Sequence, residues 1–227
     1  MVDIISNYGW LLLKAMGQTL IMAFYSLCFA SIIGLIFGML SVLKSRVCRF
    51  ISRIFVDVIR GVPMIVLAFF VFFGVPYAAK NLLHISNFTL PALQAGIICL
   101  SLNCGAYMSE IIRAGILSVD VGQMEAARSL GLPYRSAMAK VVLPQAIRTM
   151  IPSIINQFII TLKDTSILSV IGFPELVNSA KNVVANTFMS FQTWLIVGVM
   201  YLIVITILSR IARYLEKKAN KDKRQQN

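Results

Sequence analysis

The chain is poor in charge. Asp, Glu, Lys and Arg make up only 13% of its 227 residues, against 58% hydrophobic, where a soluble domain carries about 25% charged residues. So few charges exclude a soluble core and make this a polytopic membrane protein. Histidine is nearly absent: the one copy, His84, falls in a loop and leaves little room for acid–base or metal chemistry. The four cysteines, Cys28, Cys48, Cys99 and Cys104, lie in or beside apolar runs without metal-binding spacing, and read as small apolar fillers. There is no G-x-x-x-x-G-K-[ST] phosphate loop, so ATP hydrolysis by this chain is not expected. G-x-S-x-G, H-E-x-x-H and cysteine–histidine clusters are absent too, which disfavours a membrane enzyme. The chain shows no internal repeat and no low-complexity segment. Its start, MVDIISNYGWLLLKAMGQTL, carries an acid, no basic leader and no A-x-A pattern, so no cleavable signal peptide is expected.

What is present is apolar length. A helix crosses the hydrocarbon core with about 20 apolar residues, and five segments qualify, near 19–43, 62–79, 92–109, 151–171 and 191–209. The reading is an all-α membrane bundle forming one domain over 1–227. The net charge of +12 sits at the ends of these runs. Five basic residues follow the first run, from Lys44 to Arg60. Five more lie between Arg113 and Arg148, and seven in the tail 210–227. The opposite side has only Lys14, Lys80 and Lys181, and Lys163 lies inside a run. By the positive-inside rule the N-terminus is outside and the tail cytoplasmic. Trp10, Tyr77 and Trp194 fall near outer ends, as interfacial aromatics do. Without interleaved aromatics or a binding module, the basic clusters do not point to nucleic acid.

The connection 113–148 is long for a compact membrane domain. Asp120 suits an N-cap, QMEAARSL favours helix, and Gly131 can stop it. Leu132-Pro133 can begin a second short helix over Tyr134–Val142, ending near Pro144. Ala126 and Ala127 leave the first helix thin, with Glu125 and Arg128 as a charged edge. Such a helix suits either a groove on a partner or the lipid surface.

The residues Glu125, Ala126 and Ala127, then Gly131, then Leu143-Pro144, with Val141 as the aliphatic position, match the EAA loop of permease subunits of bacterial ATP-binding-cassette importers. Together with RGVPMIV at Arg60, LSLNCGAYMSEIIRAGI at Leu100, LPQAIRTMIPSIINQFI at Leu143 and TLKDTSILSVIG at Thr161, the chain resembles the polar amino-acid uptake branch of that family from about Gln18 to Leu215. The resemblance implies a type I importer fold. It implies that Glu125, Ala126, Ala127, Arg128, Gly131, Leu143 and Pro144 form the contact with a separate ATPase subunit. That subunit would hold ATP and Mg, and no cofactor would bind this chain. A second permease subunit, identical or homologous, and an extracytoplasmic solute-binding protein complete the implied assembly in the bacterial cytoplasmic membrane.

Polar residues inside the runs mark the pathway. Lys163 lies about 12 residues, roughly 18 Å, into the fourth run, with Asp164 one step further. A charge at that depth costs at least about 2.5–3.5 kcal/mol and so faces a cavity or a partner. Neighbours on a helix cannot share a face, so one of the two lines the pathway while the other packs or pairs. Asn103 reaches a similar depth from the third run, and Thr165, Thr161, Ser166, Asn156 and Gln157 add polar groups to the fourth. Asp164, Asn103, Lys163 and Thr165 are the candidate solute contacts, a set suited to a zwitterion. The alternative is an interhelical polar clasp. Glu110 with Arg113, and Asp57 with Arg60, are spaced as local ion pairs. From residues alone, a carrier driven by an ion gradient is the rival class.

Overall fold

The computed structural model describes residues 1–85 and 88–224, with side chains as far as Tyr214. Among the described residues the elements are helical throughout. Five stretches are long and apolar enough to cross a membrane: Val2–Val42, Met64–Leu82, Ala92–Leu117, Tyr134–Ile171 and Ser190–Tyr214. All five begin or end beyond the apolar runs that announce them, because polar residues at their ends still make helical hydrogen bonds.

Helix α1 (Val2–Val42) starts well before the apolar run at Thr19. Its early turns look mixed in sequence, but Ile4, Leu12, Ala15 and Met16 are buried against Leu176, Ala180 and Val183. The basic stretch that follows, read from sequence as a loop, is instead a helix, α2 (Arg46–Gly61), capped by Ser45, whose hydroxyl accepts from the Cys48 N–H. Val47, Phe50, Ile51, Ile54 and Val58 are exposed on it, while Ser52 and Val56 are buried. This three-to-four-residue spacing gives it one apolar outer stripe. Its inner side holds α1 through the Ser52 hydroxyl, which donates to the Phe37 carbonyl (2.7 Å), and through a Phe37–Phe55 stack at 3.9 Å.

The second crossing is built in pieces: α3 (Met64–Phe69), a π turn (Phe70–Gly74) and α4 (Val75–Leu82). The fourth repeats the pattern, with α7 (Tyr134–Ala137), a π turn (Met138–Val142) and α8 (Leu143–Asp164), then a 3₁₀ segment (Thr165–Ile171). Each π turn is followed by a proline, Pro76 or Pro144, in the first turn of the next helix. A proline ring clashes with the carbonyl four residues back and offers it no N–H. Widening the helix by one residue removes the conflict: the N–H groups of Val75 and Leu143 donate to carbonyls five residues back, Phe70 and Met138. The expected helix end near Pro144 is therefore corrected. The helix passes through it, and the second half of the 113–148 connection is the start of the fourth crossing.

α5 (Ala92–Leu117) is the centre of the bundle, with α1 and α8 along its length. Small residues set the approach. A Cβ added at Gly34 would lie 2.5 Å from the Met108 Cβ, at Gly38 2.8 Å from Ile112, and at Gly105 2.7 Å from Ile33. On the α8 side, a Cβ at Gly115 would lie 2.1 Å from Met150. Between crossings four and five, α9 (Leu176–Thr187) packs against the start of α1. α10 (Ser190–Arg224) carries the fifth crossing. The side chains of the basic tail beyond Tyr214, and residues 225–227, lie outside the described residues.

One buried carboxyl group ties the far end together and was not singled out in the sequence. Glu175, 0% exposed, caps α9 by accepting from the N–H groups of Val177 (2.8 Å) and Asn178 (2.6 Å), and the Tyr201 hydroxyl donates to it at 3.4 Å. Burial pushes its carboxyl above the usual carboxylate range, against the pull of those donors and of Lys181. A glutamate is an unusual N-cap residue, so the pattern P-E-L-V carried little signal.

Two outcomes are expected. Gly34→Ala should destabilise the assembled protein by about 1–3 kcal/mol through overpacking, read as a lower melting temperature in detergent. Gly17→Ala, whose Cβ meets nothing within 4 Å, should be neutral or raise stability by up to about 1 kcal/mol. For Glu175, the raised value means that the folded state holds the proton more tightly, so this contribution is full below the ordinary pKa of 4.5 and is lost as pH rises through the raised one. Melting curves should fall with pH across that window, and Glu175→Gln should abolish this component of the slope.

Candidate functional site

A cavity of about 520 Å³ opens where α2, α3, α5 and α8 meet. The chain breaks its helix here: Gly61 ends α2, Val62 and Pro63 are extended, and Met64 opens α3. Irregular backbone at membrane depth is tolerated where it lines a cavity. From α5 come Asn103 and Tyr107, four residues apart and so on one face. From α8 and the 3₁₀ segment come Gln157, Ile160, Asp164 and Ile167, again at helical spacing.

Of the four candidate contacts, Asn103 and Asp164 line this cavity together. Asn103 is 9% exposed, and its Nδ2 donates only to the Met64 sulfur at 3.8 Å. Asp164 is half-buried. Lys163 and Thr165 are absent from the lining. Lys163, about 100° round the helix from Asp164, is exposed elsewhere. Thr165 is fully buried and donates to the Leu162 carbonyl at 2.7 Å, which uses its hydroxyl within the helix. Three lining residues were not singled out as solute contacts in the sequence: Arg60, Tyr107 and Gln157. The i, i+7 spacing of Gln157 and Asp164 was a signal that could have found one of them.

Arg60 also corrects an expectation. It makes no ion pair with Asp57. Among the described residues the one salt bridge is the expected Arg113–Glu110 pair, a two-bond fork at 3.1 and 2.9 Å. The Arg60 guanidinium instead lies over the Tyr107 ring, 4.7 Å from its centre. Because α2 stops one residue later, its last long side chain reaches across to α5 rather than back along α2. Arg60 is a shared wall of this cavity and of two more, of about 520 and 510 Å³, that run toward Arg113 and Ser118 at the basic end of the bundle.

At that end the 113–148 connection forms α6 (Val121–Ser129). Asp120 caps it, its Oδ1 accepting from the Gly122 N–H at 2.6 Å. Gly131, with φ +83°, closes it: its N–H donates to the Arg128 carbonyl and that of Leu132 to the Ala127 carbonyl, a Schellman pair. Glu125, Ala126 and Arg128 face outward. Ala127 does not. It is buried, and Met124 packs on the cluster of Ile112, Ile116, Val142 and Met150. Two further ties fix the loop: Gln145 Nε2 donates to Gln123 Oε1 (3.2 Å), and Lys44 lies 5.7 Å over the Tyr134 ring. Leu143 is partly buried and Pro144 exposed. α6 and the loop after it are thereby tied to α5, α8 and the turn between α1 and α2.

Residues 30–221 match the family described as binding-protein-dependent transport system inner membrane component. The chain is 36% identical over 208 residues to the glutamine transport system permease protein GlnP of Escherichia coli K12, covering 92% of each. It is also 36% identical over 211 residues to the probable amino-acid ABC transporter permease protein PatM of Vibrio harveyi, covering 93% of this chain and 92% of that one. The crystal structure of an amino acid ABC transporter with histidines superposes with a TM-score of 0.86 at 31% identity, over 94% of this chain and 96% of that one. An inward-facing MetNI methionine ABC transporter shares the fold, with a TM-score of 0.74 at 20% identity over 92% and 96%. The chain belongs to the family of binding-protein-dependent transport system inner membrane components. It is a permease subunit, not an enzyme, and the ion-gradient rival falls away.

The cap geometry makes one prediction. A β-branched residue at Gly131 must take a left-handed conformation that costs about 1–3 kcal/mol. Gly131→Val should open the end of α6, seen as faster amide hydrogen exchange at positions 131 and 132, with the melting temperature of the bundle little changed.

Proposed function

We propose that this chain is the membrane-spanning subunit of an ATP-driven importer of a polar amino acid in a bacterial cytoplasmic membrane, with its N-terminus outside and its basic end in the cytoplasm. The observation that carries the solute class is the cavity that joins the Asp164 carboxylate to the side-chain amides of Asn103 and Gln157 inside a lipid-facing bundle. Relatives named for glutamine and amino-acid transport support it. One bundle leaves the cavity open at its side. A second permease subunit, a copy or a homologue, closes it. Glu125, Ala126, Arg128 and the exposed Leu130 of α6 meet an ATPase subunit that holds ATP and Mg. A solute-binding protein delivers cargo at the far end. ATP binding draws the two α6 helices together and biases the bundle toward its outward-open state, and hydrolysis resets it.

Uptake by the complete complex in vesicles, against a panel of labelled amino acids, tests this reading. Asp164→Asn and Asn103→Ala should each lower uptake of the cargo about tenfold, the loss expected for one charged or buried hydrogen bond. Unchanged uptake in both variants removes the site, and uptake without ATP removes the mechanism.

A further inference from the structure

Asp164 stands at a change of helix type. α8 ends there, and the next seven residues, Thr165–Ile171, form the 3₁₀ segment. Runs of more than three or four residues in that form are uncommon, because their hydrogen bonds are poorly aligned, and inside a helical stretch they often mark a hinge. The ties that hold this one come from three other helices and meet at a buried point outside the cavity. Thr165, the first residue of the segment, is fully buried, and its side chain stands in hydrogen-bonding reach of the Tyr201 hydroxyl on α10. That hydroxyl also reaches Thr19 on α1 and donates to Glu175 at 3.4 Å. Thr19 in turn accepts from the Leu176 N–H, the first amide of α9, at 3.1 Å. Further along the segment, Ser169 accepts from the Lys181 ammonium of α9 at 2.9 Å.

The residue at the centre is longer than its local task requires. An N-cap needs one short acceptor, which Ser, Thr, Asp or Asn supplies. Glu175 instead places a whole carboxyl group where it has no exposure, an unfavourable burial unless several donors meet it. Two of its donors are α9 amides, and the third comes from α10. We infer that Glu175 and Tyr201 are positioning residues for transport: they clamp the 3₁₀ segment to α9 and α10, so that the far-end helix and the Asp164-bearing rod move as one body. Neither side chain lines the solute cavity. They act through Thr165, which adjoins Asp164 in the chain. A displacement of α9, which is exposed at Lys181 and Asn182, then turns the end of the rod that faces the cavity. This inference rests on the importer reading.

The test is ATP hydrolysis by the complete complex in nanodiscs, with and without its solute-binding protein loaded with the amino acid that supports uptake. Tyr201→Phe keeps the ring and removes the hydroxyl, and Glu175→Gln keeps an acceptor for the α9 cap. Each should lower the ratio of stimulated to unstimulated hydrolysis about fivefold or more, with the unstimulated rate within about twofold of the parent. The double variant should lose no more than the worse single, because the two side chains act as one unit. Lys181→Met, at an exposed side chain, should lower the ratio by less. In vesicles, maximal uptake should fall with the ratio while the KM for cargo stays within about twofold, since no solute contact is removed. Assembly is checked by co-purification with the ATPase subunit, and Tyr201→Phe decides alone if Glu175→Gln does not assemble. If stimulated and unstimulated rates fall together, the pair only supports the fold. If the ratio keeps its parental value, if the two losses multiply, or if the parent shows no stimulation, the clamp is wrong. In each of these cases ATP-dependent uptake by the parent leaves the importer reading standing. A parent whose uptake ignores ATP overturns both.

Discussion

The close approach of α1 to α5 governs the rest of the structure. In lipid, apolar surface gains nothing by leaving its surroundings, so helices associate through van der Waals fit and a few hydrogen bonds. Gly34, Gly38 and Gly105 remove the side chains that would hold the two helices apart, and the Ser101 hydroxyl bonds the Ser26 carbonyl across the seam at 3.2 Å. With that pair fixed, one flank of α5 is left for α8, where Gly115 admits Met150, and the other for α2. The cavity is the space those two neighbours do not fill.

That cavity depends on helices that are interrupted. The break at Val62-Pro63 gives the second crossing a bend at the depth of Asn103. It also lets α2 set its apolar stripe outward while Arg49, Arg53 and Arg60 line the neighbouring cavity. The proline-linked π turns serve a different end. They keep a helix continuous through Pro144, so α7 and the Asp164-bearing α8 share one rod. The 3₁₀ tightening after Asp164 then ends that rod at Gly172, whose φ of +76° turns the chain toward Glu175 and α9.

Much of this was legible in residues. Long apolar runs predicted five crossings because a membrane demands length. Asp120 and Gly131 announced the bounds of α6 because capping is local chemistry. Asp164 stood out because a carboxylate in hydrocarbon is costly. The misses have equally definite causes. α2 reads as a loop when charge is counted without angle, since its arginines and its valine–phenylalanine–isoleucine stripe alternate round the axis. Ala127 reads as an outward groove-filler when helix thickness is judged alone. Arg60 reads as Asp57's partner when only spacing on one helix is considered.

The sequence by itself determined the solvent of this protein, the number of its crossings, the position of its outward-facing loop and the kinship that names its task. These follow from length, periodicity and short motifs, which act over a few turns of chain. Only the tertiary structure decided which polar groups meet. Arg60, Tyr107, Asn103, Gln157 and Asp164 come from three separate stretches of chain, and nothing local in any of them specifies the others. What brings them to one cavity is the set of interaxial distances that the glycines of α1 and α5 permit. Such distances depend on two surfaces at once and are written in neither alone.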